Sequence, residues 1–452
     1  MAQTTVAENL YAGPRGTAVK ILNRVERSDS YLDRLMDSEL RSAEMNELDK
    51  SLMAEIVTGV IRWRNKIDWI LTGFFHGNFT KAETNIRNTL RVAAYQIMFL
   101  DRVPHSAAVN EAVEFIKRIR GQRVADLVNA VLRNIVRNVE NLRYPDPKED
   151  QIQYLSVIES HPYWMVRRWV DRFGYDQAKQ LLDANNQRPD LTLRVNRLKM
   201  DFNYFLSILE QHQIQFSRST YMDYFVRVKH MADIGSSDLF KQGFFGVQDE
   251  SAGLAVLLLD PKPGERVLDL CSAPGGKTTF IGELMKNSGE IVAVDRYENR
   301  LQLVKTACQR QGVANVHLVV ADSATLQTPP AERVLVDVPC SGLGVLCKKP
   351  DAKWKRDPAD IDHLVLIQRD ILENAATLVK PGGVLVYSTC TTEPEENINI
   401  VRDFLSKHPE FTIEPAQQFV NQALVHPDGY VETLRHKHGM DSSFAMRLKK
   451  TV

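Results

Sequence analysis

The feature that most constrains this chain is a recurrence in its second half. Short unbroken apolar runs return at Arg266-Val-Leu-Asp-Leu, Glu290-Ile-Val-Ala-Val-Asp, Val316-His-Leu-Val-Val, Arg333-Val-Leu-Val-Asp and Val384-Leu-Val-Tyr-Ser, with helical stretches between them. A strand with one wet face alternates apolar and polar residues. A continuous run is apolar on both faces and belongs in a parallel sheet covered by helices on each side. From about Gln248 the chain therefore reads as a doubly wound α/β domain. At 452 residues there is room for further cores.

The first half has a different period. From about Gly13 to Asn138 apolar residues return every three or four positions, as in Leu48-Asp-Lys-Ser-Leu-Met-Ala-Glu-Ile-Val-Thr-Gly-Val and Ala107-Ala-Val-Asn-Glu-Ala-Val-Glu-Phe-Ile. This predicts an all-helical bundle, with Ser106 as the N-cap of the second segment. Tyr144-Pro-Asp-Pro-Lys-Glu-Asp reads as a linker, and helical pattern resumes from His161 to Asn186. Leu191–Asn196 and Tyr224–Val228 look like strands around a helix at Phe202–His212, a small α+β subdomain. The expected division is 1–143, 144–246 and 247–452.

Composition is that of a soluble globular protein, 44% hydrophobic and 25% charged, and no apolar run approaches the roughly 20 residues that span a bilayer. Met1 to Leu10 lacks a basic start followed by an apolar stretch, so a cytosolic protein is expected. The five cysteines are Cys271, Cys308, Cys340, Cys347 and Cys390, an odd number without a CxxC pair. Reduced thiols and no metal site are expected. Lys+Arg equals Asp+Glu at 57 each, so net charge does not point to nucleic acid. Basic residues do cluster at Lys117, Arg118, Arg120, Arg123, Arg133, Arg137 and Arg143, and again around Trp354 from Lys348 to Arg356. Such patches fit phosphate contacts, although a solvated helix face is an equally simple explanation.

The most informative local string is Leu268-Asp-Leu-Cys-Ser-Ala-Pro-Gly-Gly-Lys-Thr278, a tight glycine turn between the first strand and a helix expected at Thr278–Met285. Glycines let the backbone approach a ligand closely at the carboxyl ends of strands, where open α/β sheets bind cofactors. Asp295 ends the second strand, suited to ribose hydroxyls. Asp322 follows the third, suited to an adenine amino group. Neither GxGxxG nor GxxxxGK[ST] is present, which disfavours a dinucleotide or a nucleoside triphosphate.

Two more strand ends deliver cysteines, in Asp337-Val-Pro-Cys340-Ser-Gly-Leu-Gly and Ser388-Thr-Cys390-Thr. Neighbouring strand ends converge on one crevice, so both thiols should face the cofactor. Carbon 5 of cytosine is too weak a nucleophile to take a methyl group unaided. A thiolate adding to carbon 6 makes the ring enamine-like and splits the step in two. Lys277 or the helix dipole would favour the thiolate, and Asp337 would hold the exocyclic amine and ring nitrogen of an unstacked base. Enzymes that methylate exocyclic amines favour Asn/Asp-Pro-Pro-aromatic, whereas this strand ends in Asp-Val-Pro-Cys. The residues alone do not rank the thiols, since DNA enzymes making 5-methylcytosine use a Pro-Cys cysteine, which would favour Cys340. Cys308 and Cys347 are expected to be structural.

Cys271-Ser-Ala-Pro-Gly-Gly-Lys-Thr, Asp337-Val-Pro-Cys-Ser-Gly-Leu-Gly, Lys349-Pro-Asp-Ala-Lys-Trp and Tyr387-Ser-Thr-Cys-Thr-Thr-Glu-Pro-Glu-Glu-Asn resemble, in order, the motifs of the Sun family of RNA 5-methylcytosine methyltransferases. Tyr95-Gln96, Arg102-Val-Pro104, Ala108-Val-Asn-Glu-Ala-Val and Leu127-Val-Asn-Ala-Val-Leu-Arg are similar to the NusB-type helical domain that precedes the catalytic part in bacterial Sun/Fmu (RsmB-type) small-subunit ribosomal RNA methyltransferases. The resemblance implies a Rossmann-like class I methyltransferase domain behind a NusB-like bundle and a small α+β (RRM-like) subdomain. It implies S-adenosyl-L-methionine as cofactor, held by Cys271, Ser272, Ala273, Pro274, Gly275, Gly276, Lys277, Asp295, Arg300, Asp322 and Asp337. It further implies that Cys390 is the nucleophile, that Cys340 assists release, and that the partner is 16S ribosomal RNA. No membrane partner is expected from the hydropathy, and the sequence leaves the oligomeric state open, with a monomer as the default. Ser272 replaces a usual alanine and Cys347 a common arginine. Gly439-Met-Asp-Ser-Ser-Phe replaces the usual Asp-Gly-Phe-Phe, which puts a base contact there in doubt. The alternatives are the same chemistry on transfer RNA, or a non-catalytic RNA-binding assembly factor.

Overall fold

The computed structural model describes residues 10–27, 32–42, 45–229 and 234–451, so most of the Met1–Leu10 stretch lies outside the described residues. Contacts divide the chain into two compact units. One comprises Met1–Gln187 with Leu346–Lys355, the other Arg188–Val345 with Arg356–Val452.

The first unit is helical. Its helices include Gly13–Arg27, Glu47–Arg62, Arg64–Phe74, Thr84–Phe99, His105–Arg120 and Gln122–Asn138, followed by Gln151–Ile158, Tyr163–Phe173 and Tyr175–Asn186. Helical spacing puts Met53, Ile56, Val57 and Val60 on one face of Glu47–Arg62, and all are buried. Asn46 caps that helix by accepting from the Asp49 N–H at 2.9 Å. Ser106 is not a cap: the helix begins at His105 with Pro104 before it, so Ser106 is already a helical residue. Arg91 is buried in this bundle, its guanidinium forked onto Asp68 at 2.6 and 2.7 Å and also paired with Glu26.

Residues 346–355, grouped by the sequence with the catalytic part, pack in the helical unit, and Lys353 of their basic run is not free to meet a phosphate. Lys353 is 0% exposed, its ammonium donating to Asn186 Oδ1 at 2.7 Å and to the Ser160 carbonyl at 3.3 Å. Burial pushes its pKa well below the ordinary lysine value. Trp354 donates its indole N–H to the Ile61 carbonyl at 2.7 Å. By contrast, the cations from Lys117 to Arg143 are exposed, with Arg120 paired to Glu83.

The second unit holds two sheets. The smaller is antiparallel, in the order β2 (Phe216–Arg218), β3 (Phe225–Val228), β1 (Leu191–Val195), β4 (Phe245–Val247), with Phe202–Gln211 as its helix. The larger contains the parallel strands β5 (Arg266–Asp269), β6 (Glu290–Asp295), β7 (Val316–Val320), β8 (Ala331–Asp337) and β9 (Val379–Thr389). β12 (Ser443–Lys450) lies antiparallel beside β9 and pairs with β10 (Phe411–Ile413) and β11 (Val431–Thr433). Strand order is β10-β12-β9-β8-β5-β6-β7. The order reverses between β5 and β8, the switch point where doubly wound sheets open a ligand crevice. Buried Leu268, Val292, Val334 and Leu385 line one face, and Val267, Ile291, Leu335 and Val386 line the other, each in its own core. The apolar runs of β5, β6, β8 and β9 are therefore covered on both sides, whereas the edge strand β7 is not, its Val320 being 56% exposed.

Candidate active site

The ends of β5, β6, β8 and β9 carry the expected residues. After β5, the turn through Gly275 leads into the helix Gly276–Leu284. Gly275 has φ +104°, and a Cβ there would lie 2.9 Å from the Val304 Cα, so only glycine fits. Ser272 fastens the turn to β6, donating from its N–H at 2.9 Å and from its hydroxyl at 3.0 Å to the Val294 carbonyl. The Ala273–Pro274 bond is cis. Arg300 spans Asp295, at 3.1 Å, and the Ala273 carbonyl, at 3.1 Å, joining the turn to the end of β6. Asp322 is half-buried and 3.8 Å from Arg296.

Sequence reasoning missed Asp269, the last residue of β5. It is fully buried; Thr278 donates to one carboxylate oxygen at 2.7 Å, and the other has no hydrogen-bond partner among the described residues. Burial raises its pKa to about 6. An orphaned carboxylate oxygen beside a glycine turn, with acids at the ends of β6 and β7, makes a donor set suited to an amine, ribose hydroxyls and an adenine. S-adenosylmethionine carries all of these, and the residues fit it. Missed too was Arg194 of β1, which is 1% exposed. It donates to the Gly276 carbonyl at 2.9 Å, Thr279 Oγ1 at 3.0 Å, Gln248 Oε1 at 2.6 Å and Gln311 Oε1 at 2.9 Å. The small sheet thus grips the helix that follows the glycine turn.

The thiols converge. Cys340 Sγ lies 3.2 Å from Cys390 Sγ and accepts from the Cys390 N–H at 3.4 Å. Beside them Asp337 accepts from Lys277 at 2.5 Å and from the Ser388 hydroxyl at 2.8 Å. Burial lowers the Lys277 pKa, but the Asp337 carboxylate and then a Cys390 thiolate outweigh it, and the net shift is upward. The hydrogen bond to Cys390, then burial, pushes the Cys340 thiol well up. Burial, with the carboxylates of Asp337, Asp269 and Asp295, raises the Cys271 thiol far beyond its ordinary range, and burial raises Cys308 to about 11. Cys347 lies in the helical unit, where Arg62 donates to its carbonyl at 3.0 Å.

Glu396 is the other omission, although it stands inside a quoted motif. It is 0% exposed and accepts from the Ser341 N–H at 2.7 Å, the Ser341 hydroxyl at 2.5 Å and Gln368 at 3.0 Å. Ser341 also bonds Thr391 at 2.8 Å. The carboxylate therefore stitches the loop of Cys340 to that of Cys390, and burial raises its pKa. The unusual C-terminal string braces the same loop: Ser442 donates its N–H to the Gly344 carbonyl at 3.0 Å, and Gly344 donates to the Cys390 carbonyl at 3.0 Å.

Comparison with known proteins gives three family matches. Residues 256–449 match the model of the 16S rRNA methyltransferase RsmB/F, residues 13–137 the NusB family, and residues 161–235 the RsmF/B-like ferredoxin-like domain. A probable ribosomal RNA small subunit methyltransferase B of Bacillus subtilis is 35% identical, over 96% of this chain and 98% of its own. The ribosomal RNA small subunit methyltransferase B of Erwinia tasmaniensis is 34% identical over 88% and 91%. Among solved structures, PH0851 is 28% identical with a TM-score of 0.81, covering 97% of this chain and 99% of that one. On these matches, spanning both the helical and the catalytic parts, the chain belongs to the RsmB/F family of methyltransferases.

Proposed function

We propose that this protein methylates carbon 5 of a cytosine in small-subunit ribosomal RNA, in the cytosol, with Cys390 as nucleophile. The observation that carries this reading is the pair of sulfurs 3.2 Å apart beside the Lys277–Asp337 ion pair. S-adenosylmethionine, when bound, supplies a methyl group activated by its sulfonium charge. The chain's residues do the rest. Cys340, held as the thiol, donates to the Cys390 sulfur and favours its thiolate. That thiolate adds to carbon 6, carbon 5 takes the methyl group, a base removes the carbon 5 proton, and the carbon 6–sulfur bond breaks. Cys340 is within reach of the leaving sulfur to return a proton and help release the product. Asp337, fixed by Lys277 and Ser388, accepts from the cytosine amine and orients the ring. Cys271, Ser272, Ala273, Pro274, Gly275, Gly276 and Lys277 form the cofactor turn, with Asp295 and Asp322 for ribose and adenine and Arg300 holding Asp295 in place.

The relatives are named for ribosomal RNA small subunit methylation, which favours this substrate over transfer RNA. Incubation with methyl-labelled S-adenosylmethionine and either unmodified small-subunit RNA or transfer RNA tests it. Label recovered as 5-methylcytosine from the ribosomal RNA alone is expected. Label only in transfer RNA, or on an exocyclic amine, would contradict the proposal.

A further inference from the structure

A polar cavity of about 590 Å³ opens in the helical unit. Cations dominate its wall: Arg27, Arg64, Arg87, Arg91 and Lys355 face the carboxylates of Glu26 and Asp351. Those carboxylates are already shared. Glu26 takes Arg87 at 2.7 Å as well as Arg91, and Asp351 accepts from the Leu32 N–H at 3.3 Å while Lys355 stands 3.7 Å away. Among the described residues, Arg64 has one ion pair, with Asp68 at 3.9 Å, and lies over the Trp354 ring at 5.4 Å, while Asp68 is bound twice over by Arg91. Burial, then the like charges of Arg91 and Arg87, depress the Arg64 pKa.

Small-molecule pockets of this size are mostly apolar with a few polar anchors. A cavity that gathers more cations than carboxylates calls for an anion. Guanidinium forks match phosphate oxygens, and Lys355 adds a point charge. We propose that this cavity seats a phosphate group of the RNA substrate, with Arg64 and Lys355 as principal contacts and Arg27 at the rim. Lys355 ends the segment 346–355 that follows the Cys340 loop in the chain, so a stretch of the methyltransferase sequence would itself hold RNA. This inference rests on the reading of the substrate as RNA.

The test measures binding of a labelled small-subunit RNA transcript across a salt series, for the wild type, the double variant Arg64→Gln/Lys355→Gln, and Arg27→Glu. Each single-strand phosphate contact contributes about 0.7 to the salt slope. The double variant should bind at least about tenfold more weakly with a slope smaller by about one to two, at unchanged S-adenosylmethionine affinity. Exposed Arg27 is peripheral to the fold, so Arg27→Glu decides the matter if the double variant melts early. Wild-type binding with unchanged slopes in the variants would overturn this inference and leave the methyltransferase reading intact. Absence of RNA binding by the wild type would overturn both. Titration with inorganic phosphate and cytidine monophosphate separates the sources: loss of these small anions in the variants, with RNA affinity untouched, would make this a small-anion site and overturn the assignment to RNA.

Discussion

Cys340 and Cys390 bring two sulfurs to one spot, 3.2 Å apart, and in the proposed reaction the proton between them decides which attacks. The hydrogen bond to Cys390, and then desolvation, push the Cys340 thiol well up, which favours Cys340 as the sulfur that keeps its proton. The loop that holds it depends on Glu396, whose removal would leave the buried Ser341 N–H without its acceptor and Gln368 Nε2 with the Pro339 carbonyl in place of two acceptors. Glu396→Ala is expected to cost about 2–4 kcal/mol in stability and to lower kcat more than it raises KM for RNA, with Glu396→Gln recovering part of the loss. An equal loss in both variants would mean that the charge, not the bonding, matters. Asp269 makes a pH prediction. Its pKa rises from 3.8 unfolded to about 6 in the fold. Across that window the folded chain binds the proton more tightly, so stability falls as pH rises through it and is level above. Relative to wild type, Asp269→Asn should gain about 2–3 kcal/mol between pH 4 and pH 8 in chemical denaturation. No change in the difference would show that Asp269 is not titrating as a buried acid.

At the scale of elements, two long-range contacts set the crevice. A Cβ on Gly344 would meet the Ser442 carbonyl oxygen at 2.0 Å and that of Cys390 at 2.8 Å. Gly344→Ala must therefore displace either the Cys340 loop or the segment before β12. Turnover should drop at least about a hundredfold, from misplacement of reacting groups, while S-adenosylmethionine affinity measured by calorimetry holds. Arg194→Lys should instead weaken S-adenosylmethionine by about tenfold, since an ammonium cannot reproduce a fork that holds Gly276, Thr279, Gln248 and Gln311 together. Unchanged affinity would sever the small sheet from the cofactor turn. The parallel strands and both cysteine loops were legible in the sequence because a strand's apolar run and its terminal motif are local. Arg194 and Glu396 were not, for their meaning lies in partners far along the chain, such as Gln311 for Arg194 and Ser341 for Glu396. β2 and β4, three residues each, are too short to show a period.

Across the whole molecule, the same limit explains residues 346–355. Lysines around a tryptophan read as a phosphate patch, yet Lys353 is spent inside the helical unit on Asn186 and the Ser160 carbonyl. Lys353→Ala would strand these acceptors and leave a cavity, and should destabilise that unit by about 2–4 kcal/mol, seen as faster amide exchange around Arg62 and Asn186. Exchange rates equal to wild type would contradict the burial. The central claim concerns the nucleophile, and one measurement addresses it directly: peptide mass spectrometry of the Cys340→Ala protein after incubation with ribosomal RNA and S-adenosylmethionine. A nucleotide adduct on the peptide carrying Cys390 is predicted. Its absence, together with an adduct on Cys340 in the Cys390→Ala protein, would contradict the account.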